Sequence, residues 1–240
     1  MNLLAFDTST EQLSVAVQRA DGGRWRHQGA GGAQASAALI PAALALLAQA
    51  GLALGDLRAI AFGRGPGAFT GLRTACSVAQ GLAFGADVPA LPVDTLLAVA
   101  ESARQSHHAA RVLALLDARM GEVYSAAYEC DAATGWRAVS SIALGAPQAL
   151  ALPPDAGSAA GWALAGNAFG PYADLLPPAL RDLPRISALP TADALLDLAP
   201  ALLAAGAAVA AEQALPLYIR DKVAQTTAER AAAASARPKP

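Results

Sequence analysis

At 240 residues the chain is long enough for one large domain or two small lobes around a substantial core. Seventeen Lys and Arg against nineteen Asp and Glu leave a formal charge of -2, which excludes a general field for nucleic acid or an anionic membrane and leaves room only for a local basic patch. Two distant cysteines, Cys76 and Cys130, exclude a disulfide framework and a cysteine-based zinc site.

The chain opens on "NLLAFD", an apolar run that reads as a strand. It has no basic stretch before it and stops at Asp7, unlike a secretory signal, so a reducing cytoplasm is the expected compartment. "QLSVAVQRA" alternates through Leu13, Val15 and Val17, and "DGG" folds it back as a hairpin onto "RWRHQGA". Ala35 to Leu54 follows without a charge and is long enough to span a bilayer. Its alanine content, Pro41, Gln49 and Gly51 instead favour a buried or interface helix, so no membrane partner is expected. Leu57 to Gly63 reads as a buried strand, Leu72 to Phe84 as a second helix, "VPALPV" as a strand and Leu96 to Gln105 as a third helix.

After "ESARQSHHAAR" the order restarts. "RVLALLD" and "EVYSAAYE" read as strands, and "DAATG" turns the chain into a third, "WRAVSSI". "WALAG", a helix near Ala192 to Ala205, and "ALPLYIR" complete it; the tail from Ala224 has little to pack and is expected to be disordered. The order β-β-β-α-β-α-β-α, followed by a second β-β-β opening, predicts an α/β protein of two lobes with mixed sheets, the first over residues 1–103 and the second over 104–223 with a C-terminal segment returning toward the first.

Two stretches carry candidate chemistry. "DTST", Asp7 to Thr10, places a carboxylate and three hydroxyls at a strand end. Asp7, Thr8, Ser9 and Thr10 could receive phosphate oxygens and a hydrated Mg²⁺, or Asp7 could close an Asx-turn on its own backbone. "GRGPGAFTGLR", Gly63 to Arg73, lacks the lysine of a P-loop and matches a dinucleotide fingerprint only loosely. Pro66-Gly67 suits the centre of a type II turn and Thr70 suits a helix N-cap. Free amides there, with Arg73, could hold an anion; a structural or protein-contact role is equally open.

Other signals are sparse. His27, His107 and His108 have no metal-ligand spacing, and there is no nucleophile elbow. Trp25, Trp136 and Trp162 are scattered as packing residues are, and Asp117 with Arg119 in "DARMGEVY" reads as a local ion pair at a strand end.

"LLAFDTSTEQLSVAV", "GRGPGAFTGLR", "LLDARMGEVY" and "ALPLYIR" together resemble the bacterial TsaB (YeaZ) family, over about residues 1 to 222. The resemblance implies two actin-like (ribonuclease H-like) lobes, the second reduced. It also implies a non-catalytic role beside TsaD, the paralogue that transfers threonylcarbamoyl to adenosine of tRNAs reading codons that begin with A. TsaE, a P-loop ATPase, is the implied further partner, and tRNA is reached through the complex. No intrinsic cofactor or metal is implied, only ATP or ADP at the joint interface. "DTST" is then a vestigial phosphate loop, with "AGNAFGPYADL", Ala165 to Leu175, as a feeble second one. The helix from residue 35 reads "AS" (Ala35-Ser36) where these proteins often have "HS". The docking surface is expected from Gly65, Pro66, Gly67, Phe69, Thr70, Gly71, Leu72, Arg73, Ala75, Val78, Ala79 and Leu82, with Leu39 and Leu46 of the preceding helix. A stable interface needs about 1,600 Å², and the same patch could form a homodimer. Ala79 is the position where an Arg or Glu is expected to block docking without unfolding the chain. An active ATPase of the same superfamily is the competing expectation, and a peptidase a more distant one.

Overall fold

The protein is described here by a computed structural model, over residues 1–154 and 159–220. The first lobe starts with β1 (Leu3–Asp7), β2 (Gln12–Gln18) and β3 (Arg24–Ala30). It continues through α1 (Ala35–Ala50), β4 (Ala59–Gly65), α2 (Phe69–Ala86), β5 (Ala90–Asp94) and α3 (Thr95–His107). The sheet order is β3-β2-β1-β4-β5, antiparallel from β3 to β1 and parallel from β1 to β5.

The strand pattern explains both layers. Leu4 and Phe6 of β1, with Leu13, Val15 and Val17 of β2, share one face and meet Leu39, Leu47, Ala75 and Ala79 of α1 and α2. Leu3, Ala5 and Ala16 share the other and meet Leu195, Leu196 and Ala199. Alternation along each strand thus sends successive side chains into two separate cores. Gly51, in the left-handed region at φ 66°, ends α1: its N–H bonds to Ala48 O at 3.1 Å, and Leu52 N–H bonds to Leu47 O at 3.0 Å.

The second lobe contains β6 (Arg111–Arg119), β7 (Glu122–Asp131), β8 (Gly135–Ala138) and β9 (Ala143–Gly145). After these come β10 (Trp162–Gly166), the short helices α4 (Phe169–Tyr172) and α5 (Pro178–Arg181), β11 (Arg185–Ser187) and α6 (Ala192–Ala204). Its sheet, ordered β8-β7-β6-β10-β11 with β9 beside β7, repeats the first sheet with β6 in the place of β1. Among the described residues no α-helix stands between β8 and β10, where α1 stands in the first lobe, so the second lobe is the reduced copy.

The lobes exchange helices. Leu96, Val99, Ala100 and Ala103 of α3 pack on the second sheet, against Val112, Ala114 and Ala165. The last α-helix among the described residues, α6, returns to the first sheet and is fastened to β3 by Arg24–Asp197 at 2.5 Å and Arg26–Asp193 at 2.7 Å. Residue 104 therefore lies inside a helix that packs on the second sheet.

Several boundaries differ from the sequence reading. α2 begins at Phe69 rather than near Leu72, and α1 ends at Ala50 rather than Leu54, because Gly51 caps it. "WRAVSSI" is paired only to Ala138 within β8. "ALPLYIR", given no element by its sequence, is an irregular strap. Residues 221–223 and the tail from Ala224 lie outside the described residues. Gly32–Ala50 is long and apolar enough to cross a membrane by length and composition, yet Leu39, Ala43, Leu46 and Leu47 bury one side of it on the first sheet.

Candidate functional site

Asp7 ends β1 and is fully buried. Its Oδ1 accepts from Ser9 N–H at 2.9 Å and from Ser9 Oγ–H at 2.7 Å, which is an Asx-turn. Its Oδ2 has no hydrogen-bond partner among the described residues and lies against Gly63, where any Cβ would collide with it. Burial pushes the Asp7 carboxyl up to about 7, against a weaker downward pull from the two Ser9 bonds.

The other members of "DTST" are also committed. Thr8 Oγ–H donates to Gly71 O at 2.7 Å, Ser9 O accepts from Ala68 N–H at 2.7 Å, and Thr10 Oγ accepts from Gln12 N–H at 3.3 Å. Thr8, Ser9 and Thr10 are all buried. The start of α2 sits directly on this turn. A Cβ on Gly67 would come 2.6 Å from Ser9 O, and one on Gly71 would overlap Thr8 O. Those two glycines let backbone meet backbone.

This geometry corrects three expectations. Gly67 is not in the left-handed region, so the loop is not a type II turn; Gly65 is, at φ 126°, and the Gly65–Pro66 peptide is cis. Thr70 does not cap α2. Ala68 holds the N-cap position and has no side-chain acceptor to cap with, and its own N–H is bonded to Ser9 O. Arg73 does not line an anion pocket: its guanidinium lies 3.9 Å from the Phe69 ring centre and its Nε–H donates to Tyr218 Oη at 3.0 Å.

The internal repeat reveals a second turn. Asp117, near the end of β6, takes the place of Asp7, and its Oδ1 accepts from Arg119 N–H at 2.7 Å as Asp7 does from Ser9. Its Oδ2 pairs with the Arg119 guanidinium at 3.0 Å, the local ion pair expected, and Tyr172 Oη–H donates to Oδ1 at 2.9 Å. The counterpart of "DTST" is thus "DARM", and the feeble candidate Ala165–Leu175 is not that turn. Asn167 from that stretch faces it, accepting from Asp117 N–H at 2.9 Å and reaching Glu11 across the cleft at 3.4 Å. Position after the first strand of each repeat could have identified Asp117; residue type could not. A cleft of about 290 Å³ lies between the two turns, lined by Ser9, Thr10, Glu11, Asp117, Arg119 and Asn167.

Much of the first turn is committed to the fold: the Thr8 and Ser9 hydroxyls donate within the chain, Asp7 Oδ2 faces Gly63 in the interior, and α2 is seated on the turn.

The expected docking residues divide sharply. Gly65, Pro66, Gly71, Leu72, Ala75 and Ala79, with Leu39 and Leu46 of α1, are buried inside the chain. Ala79 is wholly buried, so an Arg or Glu there would disrupt the core, and the expectation of a surface position is corrected. Gly67, Val78 and Leu82 are half-buried, whereas Phe69, Thr70 and Arg73 are exposed. The outward stripe of α2 runs through Thr70, Arg73, Ser77, Gly81 and Phe84, the last 81% exposed. On α1 it runs through Ala37, Ile40, Pro41, Leu44 and Ala48. Arg73 is the lone charge on these two stripes.

Comparison with known proteins agrees with the two-lobed α/β fold. The family model described as TsaD, tRNA N6-adenosine threonylcarbamoyltransferase, matches residues 31–238. The tRNA threonylcarbamoyladenosine biosynthesis protein TsaB of Escherichia coli (strain K12) is 37% identical over 227 residues, covering 93% of this chain and 96% of that protein. The chain belongs to the TsaB family. TsaB of Haemophilus influenzae is 45% identical over 124 residues, about half of each chain (52%). A solved structure of YeaZ from Pseudomonas aeruginosa superposes with a TM-score of 0.82 at 42% identity, over 90% of this chain and 99% of that one. The TsaB lobes described here are those of the actin-like, ribonuclease H-like fold.

Proposed function

We propose that this chain is the non-catalytic partner of a TsaD-like subunit in the cytoplasm. There it supports transfer of the threonylcarbamoyl group to adenosine of tRNAs that read codons beginning with A. The observation that carries this reading is the seating of α2 on the first turn. Thr8 Oγ–H is bonded to Gly71 O, Ser9 N–H and Oγ–H to Asp7, and Ala68 N–H to Ser9 O, so these groups of the turn are spent on the fold. The same seating fixes the pitch of α2 and presents the α1–α2 face, an outward surface almost without charge, to a partner helix pair.

The docking set is accordingly Ile40, Leu44 and Ala48 of α1 with Arg73, Ser77, Gly81 and Phe84 of α2. The buried residues beneath it set its shape. Small side chains at Ser77 and Gly81 admit close helix approach, and Phe84, Ile40 and Leu44 supply apolar area. The same face accounts for a homodimer when the partner is missing. A TsaE-like ATPase joins the pair, tRNA is reached through the complex, and ATP or ADP binds only where the two subunits meet.

Reconstitution of tRNA modification with TsaD, TsaE and the adenylate-forming enzyme, with and without this chain, tests the role. Modification should depend on its addition; full-rate modification without it would overturn the proposal. Substrate-free titration of the isolated chain with ATP·Mg²⁺ should show no tight binding.

A further inference from the structure

The segment Leu215–Arg220 has no part in the function above, yet both lobes are built to receive it. We infer that it is a strap that couples the two lobes across the mouth of the cleft, so that the start of α2 and the β6–β7 turn move as one body.

On the first lobe the strap is hydrogen-bonded and stacked. Leu217 N–H donates to Arg64 O at 2.7 Å, at the irregularity of β4 between the paired Gly63 and Gly65. Gly65 is shaped for it: its φ of 126° belongs to glycine, and a Cβ there would stand 2.6 Å from Leu217 O. Tyr218 stacks on Phe69 with ring centres 5.2 Å apart and receives the Arg73 bond already described. Upstream, Gln80 Nε–H donates to Ala214 O at 3.0 Å, holding the strap's root along α2.

Two residues later the chain is on the other lobe. Arg220 donates to Ala118 O at 3.0 Å, pairs with Glu122 at 2.7 Å and reaches Met120 Sδ at 3.6 Å, so it clasps the β6–β7 turn from both sides. Ile219 packs into the core of the second lobe. Beneath the strap lies a cavity of about 220 Å³ whose walls come from both lobes, Phe69 and Leu72 on one side and Met120 and Tyr124 on the other. The only other side-chain hydrogen bond across this end of the cleft, among the described residues, is Asn167 to Glu11 at 3.4 Å, which is long. Arg220's side chain is only 16% exposed, so its charge-assisted bonds are shielded from water.

The two lobes are otherwise joined through the packing of α3 and α6. A hinge there with no strap would let the cleft open; the strap closes the mouth and makes the partner-facing helix sensitive to the second lobe. This inference concerns the isolated chain and does not rest on the partner role.

The test is amide hydrogen exchange on the full chain, comparing wild type with Tyr218→Ala and Arg220→Ala. Tyr218 makes its ring contact and hydrogen bond with the first lobe, and Arg220 makes its bonds with the second. Coupling predicts a crossed response: Tyr218→Ala raises exchange about tenfold in the 119–122 turn, and Arg220→Ala does the same over 69–73. Strands β1 and β6 should stay protected in both. Arg220→Lys, which keeps the charge and loses the fork, should give a smaller rise and guards against a poorly folded Ala variant. If each substitution loosens only the lobe it touches, or neither alters exchange, the strap couples nothing. If modification runs at full rate without this chain while the crossed response appears, the partner role falls and the strap stands.

Discussion

Asp7 offers a test of whether the turn is as dry as its geometry implies. Its carboxyl is held near 7 by burial, whereas in an unfolded chain it returns to the ordinary 3.8. Between those values the native state keeps a proton that the unfolded state has released. The contribution of Asp7 to stability is therefore fullest below about 4, falls as pH rises towards 7, and is constant above it. One proton over about three pH units at about 1.4 kcal/mol each gives a loss of up to about 4 kcal/mol. Asp21, held at about 2 by its Arg19 hydrogen bond, titrates below the window. In Asp7→Asn the amide oxygen can still accept from Ser9, while its NH₂ meets the place where Oδ2 has no partner, a fixed cost of about 1–3 kcal/mol that does not vary with pH. Urea unfolding from pH 4.5 to 8.5 should thus show wild type losing about 1.4 kcal/mol per unit up to 7 and the Asn variant lacking that slope. Parallel curves would refute the reasoning, because they would mean that Asp7 titrates in water-like surroundings.

The remaining predictions concern packing and docking. Gly71→Ala should destabilise by about 3 kcal/mol or more, since its Cβ overlaps Thr8 O, whereas Gly81→Ala, in open space on the same helix, should stabilise by about 0.5–1 kcal/mol; midpoints of urea unfolding read both. Glu101, only 2% exposed, accepts from Arg104 at 2.6 and 2.8 Å and from Trp136 Nε–H at 2.7 Å, so Glu101→Ala should cost about 2–4 kcal/mol by the same assay, and Glu101→Gln less. Ser77→Arg and Leu44→Asp, both on the outward stripes, should abolish co-purification with the TsaD-like subunit and leave the melting temperature of the isolated chain within about 2 °C. Retained co-purification would place the docking face elsewhere.

The lobes were largely legible in the residues. β1 and β2 alternate clearly through Phe6, Leu13, Val15 and Val17, and the order of strands and helices repeats after His108, so the two-lobed α/β architecture could be read before any coordinates. "DTST" was found, with its two uses undecided. The outward faces of α1 and α2 were harder. In helices made chiefly of alanine and leucine, Ala75 and Ala79 differ little in hydrophobicity from Ser77 and Gly81, so periodicity has almost no contrast to report. Leu39 and Leu46 were assigned outward and lie inward, while Leu44, of the same residue type, is exposed.

Local chemistry, then, was determined by the sequence alone: alternating strands, the glycine cap of α1, the Asx-prone aspartate, and two copies of one strand order. Tertiary structure decided what those pieces face. Gly67 and Gly71 are glycines because a distant strand turn presses against them, α6 covers the opposite lobe's sheet, and the strap crosses the cleft. Such contacts join residues 50 to 200 positions apart, and their strength comes from shape and exclusion of water between surfaces, which no short window of residues records.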